Sequence, residues 1–173
     1  LRTNTTNILG SLTVPSGSKL YVYGDCIENG AVPTPFVCYN QVTNGMGVWI
    51  NASGNITVES GGTIDGDGLG FDARNGPGGG SAAAGGAHGG KGDNNGDNPY
   101  GDATYPTSLG SGGGGLDGGS AIRLQADSGT IIVDGTVTVD GISASSGRTG
   151  AGGSILIIGD TVNVSATLSA DGG

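Results

Sequence analysis

Ile122-Arg-Leu124, Thr130-Ile-Ile-Val133 and Gly135-Thr-Val-Thr-Val-Asp-Gly141 can be set over Ile155-Leu-Ile157, Thr161-Val-Asn-Val164 and Ala166-Thr-Leu-Ser-Ala-Asp-Gly172. The chain says nearly the same thing twice. A further copy lies upstream, in Val48-Trp-Ile50, Ile56-Thr-Val58 and Gly62-Thr-Ile-Asp-Gly-Asp-Gly68. Alternating apolar residues in runs this short argue for strands. A unit of roughly 20 residues cannot bury one apolar side alone, so it must stack on copies of itself. Stacked strands sit about 4.8 Å apart, like position over like position. The reading is an all-β fold, a right-handed parallel β-helix, the usual hand for parallel crossovers.

That register makes definite columns. Thr63, Thr136 and Thr167 form one, and Ile64, Val137 and Leu168 form an inward-facing neighbour. Asp67, Asp140 and Asp171 form a third, in which each carboxylate is expected to cap the backbone N–H groups of its own turn while the next Gly adopts positive φ.

Composition agrees with a narrow aliphatic stack. Forty glycines stand beside two Phe, one Trp and one Met among 173 residues, which suits one domain, 1–173, with no large aromatic core. The net charge is −9, with only six Lys and Arg and no basic stripe, which argues against nucleic acid as a partner. No 18-residue apolar run is present, so no membrane-spanning helix is expected. An acidic, Gly/Ser/Thr/Asn-rich composition points to an extracellular or cell-surface location. The opening Leu1-Arg-Thr, without a basic-then-apolar leader, reads as a processed product or a piece of a longer chain.

Along the chain, residues 1–47 read as a degenerate first coil plus a loop. Cys26 and Cys38 bracket a Pro/Gly-containing stretch there and are expected to form a disulfide, worth about 3 kcal/mol in a loop of this size. Residues 122–173 are two regular coils. Between the upstream copy and these lies 69–121, an ordered Gly-rich insertion. Ordering each Gly costs about 0.5–1 kcal/mol more than ordering Ala. With few side chains to bury, backbone hydrogen bonds between closely packed extended segments must offset that cost. They could be made within the subunit or against a neighbour.

Four Asn-x-Ser/Thr sequons occur, and N-glycans are expected if the source is a eukaryote, ranked Asn163, Asn55, Asn51 and Asn4. Two runs carry oxygen ligands at alternate positions as calcium loops do: Asp65, Asp67 and Asp72, then Asp93, Asn95 and Asp97. Neither completes the calcium-loop template, and Asx-turn chemistry accounts for both. No resident cofactor is therefore expected, with Ca²⁺ the one candidate. His88 sits in Gly-Ala-His-Gly-Gly with no orienting acid nearby in sequence. The stacked aspartates are explained by their turns, and Arg123 and Arg148 fall outside their column. An enzyme is not expected.

Several motifs carry a resemblance. A Gly-rich tract with Ala87-His88-Gly-Gly, Tyr100-Gly and Gly110-Ser-Gly-Gly-Gly is followed by Gly118-Gly-Ser-Ala-Ile-Arg-Leu124, Gly152-Gly-Ser-Ile-Leu-Ile157 and Leu168-Ser-Ala-Asp-Gly-Gly173. Over about residues 48–173 this resembles the glycine-rich β-helix repeats of large secreted proteins in protists, algae and bacteria. The resemblance implies an extracellular surface or fibre-forming role without catalysis. The alternatives from other classes are a carbohydrate-active β-helix enzyme, such as a polysaccharide lyase or hydrolase, and a carbohydrate- or ice-binding solenoid. Ice binding would want a flat repeated Thr-x-Thr face; Thr136-Val-Thr138 is such a unit, but its neighbours Thr63-Ile-Asp65 and Thr167-Leu-Ser169 break it. The chain closes on a coil's own signature with no capping helix, so it is expected to continue, or to associate head to tail into a filament.

Overall fold

The computed structural model describes residues 5–8, 10–24, 45–93, 98–145 and 148–173. Ten strands and no helix occur among them: β1 (Thr5–Ile8), β2 (Leu12–Val14), β3 (Lys19–Tyr21), β4 (Val48–Ala52), β5 (Ile56–Val58), β6 (Thr63–Asp65), β7 (Ala121–Val133), β8 (Thr136–Thr138), β9 (Ser154–Val164) and β10 (Leu168–Ser169). Every pairing is parallel. One sheet has six strands in the order β1-β4-β7-β5-β2, with β9 also on β7. The other has four, β10-β8-β6-β3.

The expected right-handed parallel β-helix is not what forms. The sheets curl into an open half-barrel, and the larger one has a mixed strand order instead of a closed solenoid's coils. Two causes are visible. The runs expected as separate mini-strands fuse: β7 extends over 13 residues and β9 over 11, so β7 pairs with both β4 and β5. The side away from the sheets is closed by glycine-rich backbone that is not strand at all.

The pairwise register is nevertheless set by like residues. Ile56 lies beside Ile131, Val58 beside Val133, Thr63 beside Thr136 and Ile64 beside Val137. On the next two strands, Val162 and Val164 of β9 follow Ile131 and Val133, and Leu168 of β10 follows Val137. Alternation at period two sends these side chains to one face. The resulting core holds Ile50, Ile56, Val58, Ile64, Leu124, Ile131, Val133 and Val137, all fully buried.

The glycine-rich segments pack on one another, on 141–142 and on 149–153 within the subunit. Phe71 N–H donates to Gly110 O at 3.1 Å, Gly110 N–H to Gly119 O at 2.8 Å and Gly119 N–H to Ala151 O at 2.8 Å. Gly80 donates to Gly112 O at 2.9 Å and Gly86 to Thr149 O at 2.9 Å. Backbone-to-backbone bonding of this kind leaves no room for side chains. A Cβ on Gly153 would stand 1.5 Å from Ser120 O, and one on Gly119 1.8 Å from Val139 O. Phe71, Leu109 and Ala121 form the wall's small apolar cluster.

Candidate functional site

His88 is anchored within the glycine wall. Its Nδ1 lies 2.9 Å from Gly152 O and its Nε2 lies 2.7 Å from Ser108 Oγ. A carbonyl can only accept, so Nδ1 carries the proton and the Nε2 lone pair takes the Ser108 hydroxyl. Burial is the main influence on the imidazole and pushes its pKa below the usual histidine value. The bond to Gly152 opposes that shift. The network continues from Ser108, whose carbonyl accepts the Ser154 hydroxyl at 2.7 Å. Tyr100 tilts against the imidazole, with ring centroids 4.9 Å apart. Its hydroxyl donates to Leu109 O and accepts from Ser111 Oγ at 2.8 Å, while Ser111 Oγ also accepts Gly78 N–H at 3.0 Å. Burial raises the Tyr100 pKa, so the phenol stays a donor.

A cleft of about 670 Å³ opens beside this network, lined by His88, Lys91, Tyr100, Asp102, Pro106 and Ser154 among others. The bond pattern at His88 is that of an activated serine, with a backbone carbonyl in the orienting role. Access argues otherwise. Ser108 is 5% exposed. Gly101, at φ +97°, lies so close over the pair that a Cβ there would come within 2.9 Å of Nε2 and 3.0 Å of Oγ. The pair fastens the 98–108 segment to the start of β9. Asp102 does local work too, accepting from Thr104 N–H, the Thr104 hydroxyl and Tyr105 N–H, which together lower its pKa. Nothing in Gly-Ala-His-Gly-Gly marks these partners, because Ser108 and Gly152 lie 20 and 64 residues away.

The aspartate column is brought together, but the backbone N–H groups that Asp67 and Asp140 cap belong to the next turn rather than to their own. Asp67 Oδ1 accepts Asp140 N–H at 2.7 Å and the Thr138 hydroxyl at 2.6 Å. Asp140 Oδ1 in turn accepts Asp171 N–H and the Ser169 hydroxyl, both at 2.7 Å. Parallel stacking puts each carboxylate under the N–H of the next turn, which is the nearer donor. The within-turn bond occurs at Asp65, whose Oδ1 accepts Asp67 N–H at 3.0 Å while Oδ2 pairs with Lys19 at 2.8 Å. Of the calcium candidates, Asp65 and Asp67 are thus engaged by donors. The structure brings no group of three or more His, Cys, Asp or Glu into a metal-holding arrangement among the described residues. Asp72 accepts Asn75 N–H and Asp93 accepts Gly85 N–H through their main-chain oxygens. Asn95 and Asp97 lie outside the described residues, as do Cys26, Cys38 and Asn4.

The remaining sequons differ. Asn51 is half-buried, and its amide donates to Asn7 Oδ1 at 3.2 Å. Asn55 is exposed, yet its Oδ1 accepts Thr130 N–H at 2.9 Å. Asn163 is exposed on β9. Arg123 stacks between rings, 4.9 Å from the Trp49 centroid and 5.6 Å from that of Tyr105, so it joins the 98–106 segment to the outer face of β4 and β7.

The second feature is a rim. Among the described residues β9 and β10 each pair on one side only, and the core columns reach the surface there: Val162 is 42% exposed, Val164 42% and Leu168 40%. Their partners Ile131, Val133 and Val137 are fully buried. In comparisons with known proteins, no family model, no curated protein and no solved structure matches this chain, so the resemblance to glycine-rich repeat proteins rests on the sequence pattern alone.

Proposed function

We propose that the chain is a non-catalytic structural module of an extracellular or cell-surface assembly, a segment or subunit of a fibre. The observation that carries this reading is the stack of like residues from β2 through β5 and β7 to β9, which ends on an exposed apolar rim. A body built this way works as a spacer with extendable ends. The engagement of His88, Ser108 and the aspartates in holding backbone together supports the absence of catalysis. The acidic, sequon-bearing composition supports a secreted setting, with N-glycans in a eukaryotic source and no requirement for a cofactor.

A carbohydrate-binding module is the second reading, favoured by the cleft beside Tyr100 and Pro106. Two measurements separate these readings. Antibody labelling of intact, unpermeabilised source cells should mark their surface or their fibres. Incubation with a panel of polysaccharides should release no new reducing ends and give no saturable binding. Turnover of any polysaccharide, or labelling confined to the cell interior, would overturn the structural reading. Saturable glycan binding lost in Tyr100→Ala would favour the second.

A further inference from the structure

The structure assigns the β9–β10 rim a specific occupant, namely the β1–β2–β3 edge of a second copy, laid on in parallel register. The inference rests on the structural reading above and names its partner. At one end of the stack, Val162, Val164 and Leu168 are exposed in the columns that bury Ile131, Val133 and Val137 one strand below. At the other end, Leu12, Val14 and Leu20 begin those columns, since Leu12 pairs with Ile56, Val14 with Val58 and Leu20 with Ile64. Leu12 and Leu20 are half-buried and Val14 between them is 4% exposed, so it is the two leucines that offer apolar surface at this edge.

One further step of the same register therefore sets Leu12 over Val162, Val14 over Val164 and Leu20 over Leu168. Each contact repeats an aliphatic pairing already made inside the subunit. Chain order is preserved as well, because β1, β2 and β3 meet the first half of β9, the second half of β9 and β10. All these strands run parallel, so each new pair can take the ordinary spacing of about 4.8 Å between neighbouring strands.

A polar observation points the same way. Asp67 accepts the N–H of Asp140, and Asp140 accepts that of Asp171. Asp171 is exposed, and its own carboxylate stands at the end of this ladder, with the Ser169 hydroxyl 3.5 Å away. It presents to the next strand the acceptor that Asp67 and Asp140 present to theirs. Because the two surfaces differ, the contact is heterologous, and strand-on-strand addition along the stacking direction carries each copy past the last, so repetition gives a filament and not a ring.

Complementation tests this. Leu168→Lys puts a charge on the β9–β10 rim. Thr13→Pro blocks the opposite edge: Leu12 N–H is bonded inward to Asn55 O at 2.9 Å, so the N–H of Thr13 faces outward, and proline removes it without breaking an internal bond. Leu12→Lys is a second block of that edge. Circular dichroism and Trp49 fluorescence check that each variant is folded. By analytical ultracentrifugation, the parent chain should gain mass with concentration. Each variant alone should stay monomeric, and an equimolar mixture of Leu168→Lys with Thr13→Pro should form a dimer and stop there. A parent chain monomeric at its highest soluble concentration overturns the pairing, as does a Thr13→Pro variant that still self-associates, which would mean rim-to-rim contact. A rim covered by a longer version of the same polypeptide, with no self-association, overturns it equally. Any of these outcomes would leave the structural reading to surface labelling and the polysaccharide panel, which do not depend on assembly.

Discussion

The carboxylate of Asp67 reaches across to the next turn and accepts the backbone N–H of Asp140 at 2.7 Å. It also takes the Thr138 hydroxyl at 2.6 Å. Two strands are thereby held in register by a side chain that belongs to neither ladder. Asp67→Ala removes the acceptor and leaves two donors without it. A charged acceptor of this kind is worth about 1.5–3 kcal/mol. The thermal midpoint should fall by several degrees, while Asp160→Ala, at an exposed position, should leave it within about one degree.

Gly153→Ala tests the wall. Its Cβ would stand 1.5 Å from Ser120 O, and a main-chain carbonyl cannot rotate away as a side chain can. Overpacking of this sort costs about 1–3 kcal/mol or more. Gly89→Ala has open space around the added methyl and serves as the control. Urea midpoints should drop for Gly153→Ala and stay level for Gly89→Ala.

The pH dependence of stability should contain a contribution from His88. Burial lowers its pKa in the fold, so the native state holds the neutral ring, with Nδ1–H on Gly152 O and Nε2 accepting from Ser108. Below the unfolded value of about 6.5, the unfolded chain binds the proton more readily. His88 therefore contributes fully above that value, and its contribution is lost as pH falls through the lowered folded pKa. The urea midpoint should decline from pH 7.5 to pH 5, and His88→Gln should flatten this part of the curve. An unchanged slope in His88→Gln would refute the assignment.

Expression through a eukaryotic secretory pathway should load a glycan at Asn163, whose side chain is exposed near the end of β9. Asn51, half-buried and bonded to Asn7, should stay bare. Peptide mass mapping before and after glycosidase treatment checks both sites.

What the sequence made legible is the pairing, and what it hid is the closure. Ile64 against Val137 and Thr63 against Thr136 follow from a repeat visible by eye, since side-chain alternation and strand spacing are local rules. The fusion of Ile122–Val133 into a single strand was not visible. Ala126-Asp-Ser-Gly129 carries turn chemistry, yet the chain stays extended through it, with a register shift against β9. Tertiary pairing on both β4 and β5 overrides that local preference. The place of the glycine-rich insertion was equally hidden, because backbone groups look alike in any sequence and only their geometry says which carbonyl each N–H finds. His88 illustrates the same limit, since its partners are a serine 20 residues on and a backbone carbonyl.

The glycine wall also has a thermodynamic consequence. Exposing apolar surface raises the heat capacity on unfolding, whereas exposing peptide groups lowers it. Here one side of the body buries chiefly peptide against peptide, with Phe71, Leu109 and Ala121 its small apolar cluster. Calorimetry should therefore give a heat-capacity increment per residue below the usual ~12–15 cal/mol/K. A smaller increment makes a flatter stability curve, one that changes little between cold and warm surroundings. A wall without side chains thus broadens the span of temperatures over which stability changes slowly, which would suit the structural role proposed above.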